Sequence, residues 1–189
     1  EELGERERRL LTMLHMALWS AERGLGLSEG FARLWGNPAR RDELRELLDV
    51  LDAQADVVPR ALRLTLPIPL SVHCHYTRDE VLAATGVSSA ERPYPMREGV
   101  KYDEASNCDL FLFTITKNER HYSPSTMYRD YAISRQLMHW ESQSTTTERS
   151  PTGQRYIHHA ERGSHVLLFV RETPGHRAYT FLGTAQYVS

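Results

Sequence analysis

Two histidines flank a cysteine at His73-Cys74-His75. In a strand, His73 and His75 would point to the same side, and two such imidazoles could bind a metal ion. No further ligand stands at a matching spacing, so we predict no metal site. We favour a hydrogen-bonding role for His75, beside Tyr76 and Arg78, toward a phosphate group.

A short segment that follows an apolar run is rich in cations and hydroxyl groups. Cations supply charge to phosphate oxygens and hydroxyl groups supply neutral donors, so the segment suits a nucleic-acid backbone. The alternative is an ordinary turn with solvated charges. The residues are Lys117, Arg120, Tyr122, Ser123, Ser125, Thr126, Tyr128 and Arg129.

The run from His139 to Thr147, HWESQSTTT, combines rings with polar side chains. Trp140 offers a stacking face, and Gln143 offers a two-pronged edge for a base. Ser142 and Ser144 suit backbone phosphate. The alternative is a core tryptophan followed by an ordinary polar loop.

Residues 149–177 carry five arginines against two glutamates, a pattern typical of an electrostatic footprint on one face. Within Thr152-Gly153-Gln154-Arg155-Tyr156, the glycine would let the backbone approach a ligand closely. We expect Arg155 to be a fixed cation beside an aromatic wall of Tyr156 or Trp140. Gln154 or Gln143 would bond the edge of a flipped base, or the wall would contact the softer atom of a modified backbone.

Four acidic residues, Asp109, Glu119, Asp130 and Glu141, could hold the divalent metal of a nuclease. A restriction-type site would place a lysine two residues after the second acid, where this chain has Gln143. We therefore predict that Asp109, Asp130 and Glu141 are structural, with Asp109 accepting backbone N–H bonds. The sequence also lacks a phosphate-binding loop, GxSxG, HExxH and paired CxxC.

Composition limits the function classes. The 189 residues include 23 Lys+Arg and 25 Asp+Glu, a formal net charge of −2, which excludes binding of nucleic acid by bulk charge but not a local basic groove. No apolar run is long enough to span a membrane. Two cysteines and a charged start unlike a secretory signal favour the cytoplasm. Because there is no initiating Met, we expect a piece of a longer protein.

Elements of two kinds must position these residues. Residues 1–65 are predicted to form a helical bundle, and residues 66–189 a β-rich domain. In the bundle, Ser28 would cap a helix that ends at Trp35, and Asn37-Pro38 would start the next one. Apolar residues recur at helical spacing in the first helix, at Leu10, Leu11, Leu14, Ala17, Leu18 and Ala21, and in the third, at Leu44, Leu47, Leu48 and Leu51.

The β-rich part begins after Pro67 and Pro69. A capping box at residues 77–80 predicts a short helix that stops at Gly86. The run 109–116, DLFLFTIT, is apolar on both faces and predicts a central strand. We also predict a weaker strand or helix over 131–140, a helix over 154–160, a buried strand over 166–171, and a hairpin-like strand over 179–188 that is broken at Gly183. The fold class is thus α+β, a helical bundle followed by a twisted, partly barrel-like domain.

An ordered set of motifs resembles a C-terminal domain of unknown function found in bacterial superfamily II helicases with a phospholipase-D-type nuclease module, and in HNH nuclease fusions. The motifs are HCHYTRDE (73–80), REGVKY (97–102), DLFLFTITK (109–117), SPSTMYRDYAIS (123–134), HWESQS (139–144), SPTGQRYI (150–157), VLLFVRE (166–172) and YTFLGTAQYV (179–188). The upstream MLHMALW (13–19) resembles that family's helical lead-in. The resemblance implies a DNA-processing setting in restriction or phage defence. It also implies one more strand after Ser189, so we expect a truncated C-terminus.

We therefore expect a non-catalytic DNA-binding module that recruits a helicase or nuclease of the same parent chain to duplex DNA, by reading a modified base or a phosphorothioate backbone. No cofactor, metal or membrane is expected. The alternatives are a protein-interaction or oligomerisation domain that uses the helical lead-in, and a divergent metal-dependent nuclease. The expected DNA-binding residues are His75, Tyr76, Arg78, Lys101, Lys117, Ser123, Thr126, Tyr128, Trp140, Ser142, Gln143, Ser144, Thr152, Gln154, Arg155 and Tyr156.

Overall fold

The computed structural model describes residues 3–55, 60–62, 64, 66–116, 130–143 and 146–189. Its helices are α1 (Glu5–Leu18), α2 (Leu27–Trp35), α3 (Pro38–Ala53), α4 (Arg78–Thr85) and α5 (Pro151–Ile157). Its strands are β1 (Arg60–Ala61), β2 (Ser71–Val72), β3 (His75–Thr77), β4 (Val100–Asp103), β5 (Cys108–Thr114), β6 (Tyr131–Ala132), β7 (Met138–His139), β8 (His165–Arg171) and β9 (Ala178–Ala185). Helices precede a β-rich region, which confirms the predicted α+β class. No closed barrel forms among the described residues.

The chain divides into two compact units. The first comprises Glu1–Cys74 and Asp79–Pro95, and the second comprises His75–Arg78 and Met96–Ser189. In the first unit, β1 pairs with β2 in a sheet of their own. The described part of residues 1–65 therefore adds no strand to the main sheet, and the boundary after residue 65 stays a prediction.

Two helices of the first unit begin with different caps. At the start of α3, the Asn37 side chain accepts a hydrogen bond from the Arg40 N–H at 3.2 Å, with Pro38 in the first turn, as predicted. The prediction that Ser28 caps α2 is wrong, because Ser28 already lies inside the helix and Gly26 precedes it. The carboxylate of Glu91 instead accepts from the Leu27 N–H at 3.0 Å, and this bond lowers the pKa of Glu91.

Helix α3 presents its leucines to solvent. Leu47, Leu48 and Leu51 are 53%, 51% and 53% exposed, and no residue of α3 is buried. The amphipathic pattern correctly predicts a helix. The apolar stripe of that helix is exposed rather than packed in a core.

The second unit is built on an open five-stranded sheet with the strand order β3-β9-β8-β5-β4. Strands β5 and β8 are parallel, and the other pairs are antiparallel. Strand β5 lies between β8 and β4 and is buried along its whole length, as the apolar run in the sequence predicts. One face of the sheet carries a core cluster of Phe111, Tyr156 and Val166, against which Trp140 packs.

Local signals explain the other elements of this unit. Helix α5 begins at Pro151, three residues before the predicted start, and the Ser150 hydroxyl accepts from the Gly153 N–H at 3.1 Å. The predicted break at Gly183 is a bulge instead, because β9 continues through it. Gly183 has a φ of +100° and pairs with Leu168, whereas Phe169 pairs with Phe181, so the register between β8 and β9 shifts there. The weak pattern over 131–140 is a small hairpin of β6 and β7.

Candidate nucleic-acid interface

Arg155 of α5 lies against Asp109 of β5 in a two-pronged ion pair. Its Nε donates to one carboxylate oxygen at 2.8 Å and its Nη2 to the other at 2.9 Å. Asp109 is only 1% exposed, and the guanidinium lies 4.0 Å from the ring centroid of Tyr102. The bond to Asp109 raises the pKa of Arg155 above its ordinary value.

This pair changes two expectations. Both carboxylate oxygens of Asp109 are taken by Arg155 rather than by backbone N–H groups, so the partner predicted for Asp109 is wrong. Arg155 is a fixed cation, as expected, but a buried carboxylate neutralises its charge. The ion pair therefore fixes α5 to β5, and the neutralised guanidinium of Arg155 attracts a phosphate group only weakly.

Three aromatic rings meet beside this pair. The ring of Phe111 lies 4.3 Å from that of Trp140 and 5.0 Å from that of Tyr156, between centroids. Tyr156 is 9% exposed, and its burial raises its pKa to about 12. Trp140 is half-buried. Of the two expected aromatic walls, Tyr156 therefore belongs to the core, and Trp140 keeps an accessible part of its ring.

The backbone at Gly153 lies close to the preceding loop of the same chain. A Cβ built there would lie 2.1 Å from the Thr147 carbonyl oxygen and 3.2 Å from the Glu148 Cα. The expectation that this glycine admits a ligand is therefore wrong, because the space beside it is filled by the preceding loop.

The polar side chains near Trp140 are largely engaged in holding their own loops. The Ser142 hydroxyl donates to the Thr146 carbonyl at 3.0 Å, and the Gln154 amide donates to the Glu148 carbonyl at 2.7 Å. The Gln143 amide donates to the Glu98 carboxylate at 3.4 Å, which is the longest of these hydrogen bonds, and Gln143 is half-buried. Gln143 is therefore better placed than Gln154 to exchange its bond for one to a ligand.

The sequence predicts a weak strand or helix over 131–140, but it does not identify the hairpin of β6 and β7 as part of the candidate surface. The rings of Tyr131 and His139 lie 4.9 Å apart, and His139 leads directly into Trp140. Tyr131, Ile133 and Leu137 are 49%, 56% and 40% exposed. The available signal was the polar run Ser134-Arg135-Gln136 between two apolar stretches, residues 131–133 and 137–138, which is typical of a turn between two strands.

The turn of this hairpin is held by a serine. The Ser134 hydroxyl accepts from the Gln136 N–H at 3.2 Å and from the Leu137 N–H at 3.1 Å. Arg135 and Gln136 are exposed at the tip. Arginine and glutamine are side chains that can read base edges.

The other expected residues do not join this surface. Strand β3, with His75 and Tyr76, is at the opposite edge of the sheet from β4, four strand spacings or about 19 Å away. Lys101 pairs with Leu110, so it lies on the other face from Tyr102. Sequence order alone could not show this separation, because it does not fix strand order.

Two further residues of the expected DNA-binding set are Arg78 and Thr152. Arg78 donates to the Met96 carbonyl at 3.0 Å and to the Tyr179 hydroxyl at 3.3 Å. Thr152 lies half-buried in the first turn of α5. Neither contributes a described contact to the Trp140 surface.

The basic stretch does not form one patch. Arg171 donates to the Thr114 hydroxyl at 2.8 Å and to the His176 carbonyl at 3.0 Å. Arg149, Arg162 and Arg177 are exposed. Because Arg162 precedes β8 and Arg177 follows it, the length of that strand, about 20 Å, separates them. The expectation of a single electrostatic footprint is therefore wrong.

Some expected residues fall outside the described ranges. They are Lys117, Ser123, Thr126, Tyr128 and Ser144, together with Glu119 of the nuclease alternative. Within the described ranges, no three His, Cys, Asp or Glu side chains are grouped so that they could hold a metal ion. No helix in these ranges has the length and apolarity needed to cross a membrane.

Fold and site together define an α+β protein. The Arg155–Asp109 ion pair fixes helix α5 to its main sheet, and Trp140 forms a partly exposed aromatic surface beside that pair. Residues 70–189, more than half of the chain, match the family described as Domain of unknown function (DUF3427). The chain belongs to this family. Comparisons with curated proteins and with solved structures gave no match.

Proposed function

We propose that this chain is a DNA-binding module without catalytic activity of its own. The observation that carries the proposal is the surface formed by the β6–β7 hairpin and Trp140. It combines accessible rings of Tyr131, His139 and Trp140 with exposed Arg135 and Gln136 at the turn. Stackable rings beside an arginine are the components with which proteins bind bases and phosphates.

The position of Trp140 supports this use. Its ring is held against Phe111 with centroids 4.3 Å apart, so its orientation is fixed before a ligand arrives. An ordered ring loses little conformational freedom on binding. A base stacked on the open part of Trp140 could exchange hydrogen bonds with Gln143, whose present bond to Glu98 is long at 3.4 Å.

Charge determines how DNA would approach. Glu98 and Glu141 lie near Gln143 and Trp140, which disfavours a phosphate directly over the tryptophan. Arg135 at the hairpin turn is an exposed cation. We therefore infer that the backbone follows the hairpin and that a base, or an altered backbone atom, meets Trp140.

The resemblance in the sequence supplies the setting of the proposal. It supports a role in recruiting a helicase or nuclease part of a longer protein to duplex DNA, in restriction or phage defence. A modified base or a phosphorothioate would be the feature that is read. Both present a soft or apolar group, which suits an aromatic surface better than an unmodified phosphate does.

The test is fluorescence anisotropy with plain, base-modified and phosphorothioate duplexes at two salt concentrations. We expect binding that weakens with salt and is tightest for one modified duplex. Arg135→Ala should reduce the salt slope by about 1, whereas Arg6→Ala, an exposed arginine of the first unit, should not change it. Absence of binding to every duplex, or an unchanged slope in Arg135→Ala, would refute the proposal.

A second candidate function is protein interaction, and the exposed leucines of α3 favour it. Three half-exposed leucines on one helix form an apolar face of the kind that marks an interaction site. Such docking would depend much less on salt than DNA binding does.

A further inference from the structure

Two arginines of the second unit contact the same buried tyrosine. Tyr179 of β9 is 2% exposed. Arg78 donates from its Nη2 to the Tyr179 hydroxyl oxygen at 3.3 Å, and the guanidinium of Arg171 lies 4.8 Å from the centroid of the Tyr179 ring. One tyrosine side chain therefore holds two cations near each other, one at its hydroxyl end and one over its ring.

The other contacts of the two guanidinium groups are with neutral acceptors. The Nε of Arg171 donates to the Thr114 hydroxyl at 2.8 Å, and its Nη1 donates to the His176 carbonyl at 3.0 Å. The Nη1 of Arg78 donates to the Met96 carbonyl at 3.0 Å. These bonds fix the positions of both guanidinium groups but neutralise neither charge.

Within the described ranges, no carboxylate forms an ion pair with Arg78 or Arg171. Glu172 follows Arg171 directly, but it is exposed and is not paired with it. Arg155 differs, because the buried Asp109 neutralises it. Two like charges that are partly shielded from water repel each other more than they would in bulk water. An anion that contacts both guanidinium groups would remove this repulsion.

Unused donors at the same place favour an anion with several oxygens. The buried Nε–H of Arg78 has no acceptor among the described residues. The Tyr179 hydroxyl accepts from Arg78, and it donates to no residue in the part of the chain that the structure describes. The Nη2 of Arg171 is likewise not used in its two described hydrogen bonds. A phosphate group, with its several oxygens and a charge of about −2, suits two guanidinium groups and a hydroxyl donor.

We propose that Arg78, Arg171 and Tyr179 form a binding site for a phosphate group. The two guanidinium groups bind phosphate oxygens, and the Tyr179 hydroxyl donates to one of them. The site lies on the opposite face of the sheet from Trp140. Thr114, which pairs with Arg171, is three residues after Phe111 in β5, and Trp140 packs on Phe111. The proposal therefore does not depend on the Trp140 surface or on DNA binding there.

Titration calorimetry of the whole chain with inorganic phosphate, at constant ionic strength, tests the site. We expect saturable binding that sulfate competes with and chloride does not. Arg171→Gln should weaken binding about tenfold or more, because a hydrogen bond to a charged group is lost. Arg162→Gln makes the same charge change at an exposed arginine before β8 and should bind like the wild type. A wild-type chain without saturable binding, or equal binding by a folded Arg171→Gln variant, overturns the proposal.

Chemical modification of the wild-type chain tests the same site without depending on how a variant folds. Phenylglyoxal reacts with arginine guanidinium groups, and mass spectrometry of the peptides reports how fast each arginine is modified. Inorganic phosphate should slow the modification of Arg171 and leave that of Arg162 unchanged. Equal rates for Arg171 with and without phosphate, or equal protection of both arginines, overturn the proposal.

The phosphate group could be part of a small molecule or of a nucleic-acid backbone, and the same modification experiment separates these sources. Protection of Arg171 by a plain DNA duplex as well as by inorganic phosphate supports a backbone phosphate as the ligand. Protection by inorganic phosphate but not by the duplex supports a small phosphorylated molecule. In that second case the phosphate site stands even if the chain binds no DNA. Protection by neither probe overturns the site.

Discussion

Arg155 donates two hydrogen bonds to the buried carboxylate of Asp109, 46 residues earlier in the chain. The pair joins the only helix described between residues 130 and 189 to a strand of the main sheet. Tyr102 packs against the guanidinium from the neighbouring strand β4. The contact is therefore a structural link through the part of the second unit that also holds Trp140.

The first prediction concerns this link. Arg155→Ala leaves Asp109 buried without a counter-charge, so we expect the free energy of unfolding to fall by about 3–5 kcal/mol. Urea denaturation measures it. Arg162→Ala, at an exposed arginine after the same helix, should change it by no more than about 0.5 kcal/mol.

A double variant separates charge from packing. Adding Asp109→Asn to Arg155→Ala removes the unpaired charge, so part of the lost stability should return. If Arg155→Ala unfolds at the wild-type urea concentration, or if Asp109→Asn makes it less stable still, the ion pair does not have the structural role assigned to it.

The second prediction concerns Gly153. Alanine normally stabilises a helix interior by about 1 kcal/mol relative to glycine. At Gly153 the added Cβ would lie 2.1 Å from the Thr147 carbonyl oxygen, so we expect Gly153→Ala to lower the melting temperature instead. Gly175→Ala is the matched control, because its Cβ would meet only the Thr173 hydroxyl at 3.8 Å. A Gly153→Ala variant as stable as the control would contradict the close approach.

Signals that act over a few residues could be read from the sequence. The Asn37-Pro38 start of α3 follows from side-chain capping. The β5 strand follows from an apolar run that suits burial on both faces. In each case the physical cause lies within the segment itself, so the local pattern is sufficient.

Contacts between distant segments could not be read in this way. Glu91 caps α2 from 64 residues away, and a local rule selected Ser28 instead. The sequence predicts Arg155 as a fixed cation, but no residue near it in the chain identifies Asp109 as its partner. The strand order, which separates His75 from Trp140 by most of the sheet, is also a property of the whole fold.

The third prediction is a loss of stability at alkaline pH. Burial raises the pKa of Tyr156 from the ordinary value of 10.0 to about 12 in the folded chain. Below pH 10 the phenol keeps its proton in both folded and unfolded chains. Between pH 10 and 12 the unfolded chain releases the proton and the folded chain retains it, so the free energy of unfolding falls as pH rises.

Urea denaturation below pH 10 and within the window from 10 to 12 measures this dependence. Tyr156→Phe has no phenol to titrate, so its stability should fall less steeply through the window. Tyr131→Phe, at a 49% exposed tyrosine of the hairpin, should behave like the wild type. Equal pH slopes in Tyr156→Phe and the wild type would show that the Tyr156 phenol does not titrate as described.

The last prediction uses the tryptophan content of the chain to test the proposed DNA surface. The three tryptophans are Trp19, Trp35 and Trp140, so replacing Trp19 and Trp35 by Phe leaves Trp140 as the single emitter. If a base stacks on Trp140, the preferred duplex should quench this emission over the concentration range in which anisotropy reports binding. A Trp140→Phe variant that keeps Trp19 and Trp35 should show no quenching.

Trp140→Ala should weaken binding by about 1–3 kcal/mol, the range for one stacked base. Trp35→Ala, at a 64% exposed tryptophan of the first unit, should bind like the wild type. Because Trp140 also packs on Phe111, the unfolding curve of Trp140→Ala must show a folded chain under the binding conditions. DNA binding without any change in Trp140 emission would place the contact elsewhere on the molecule.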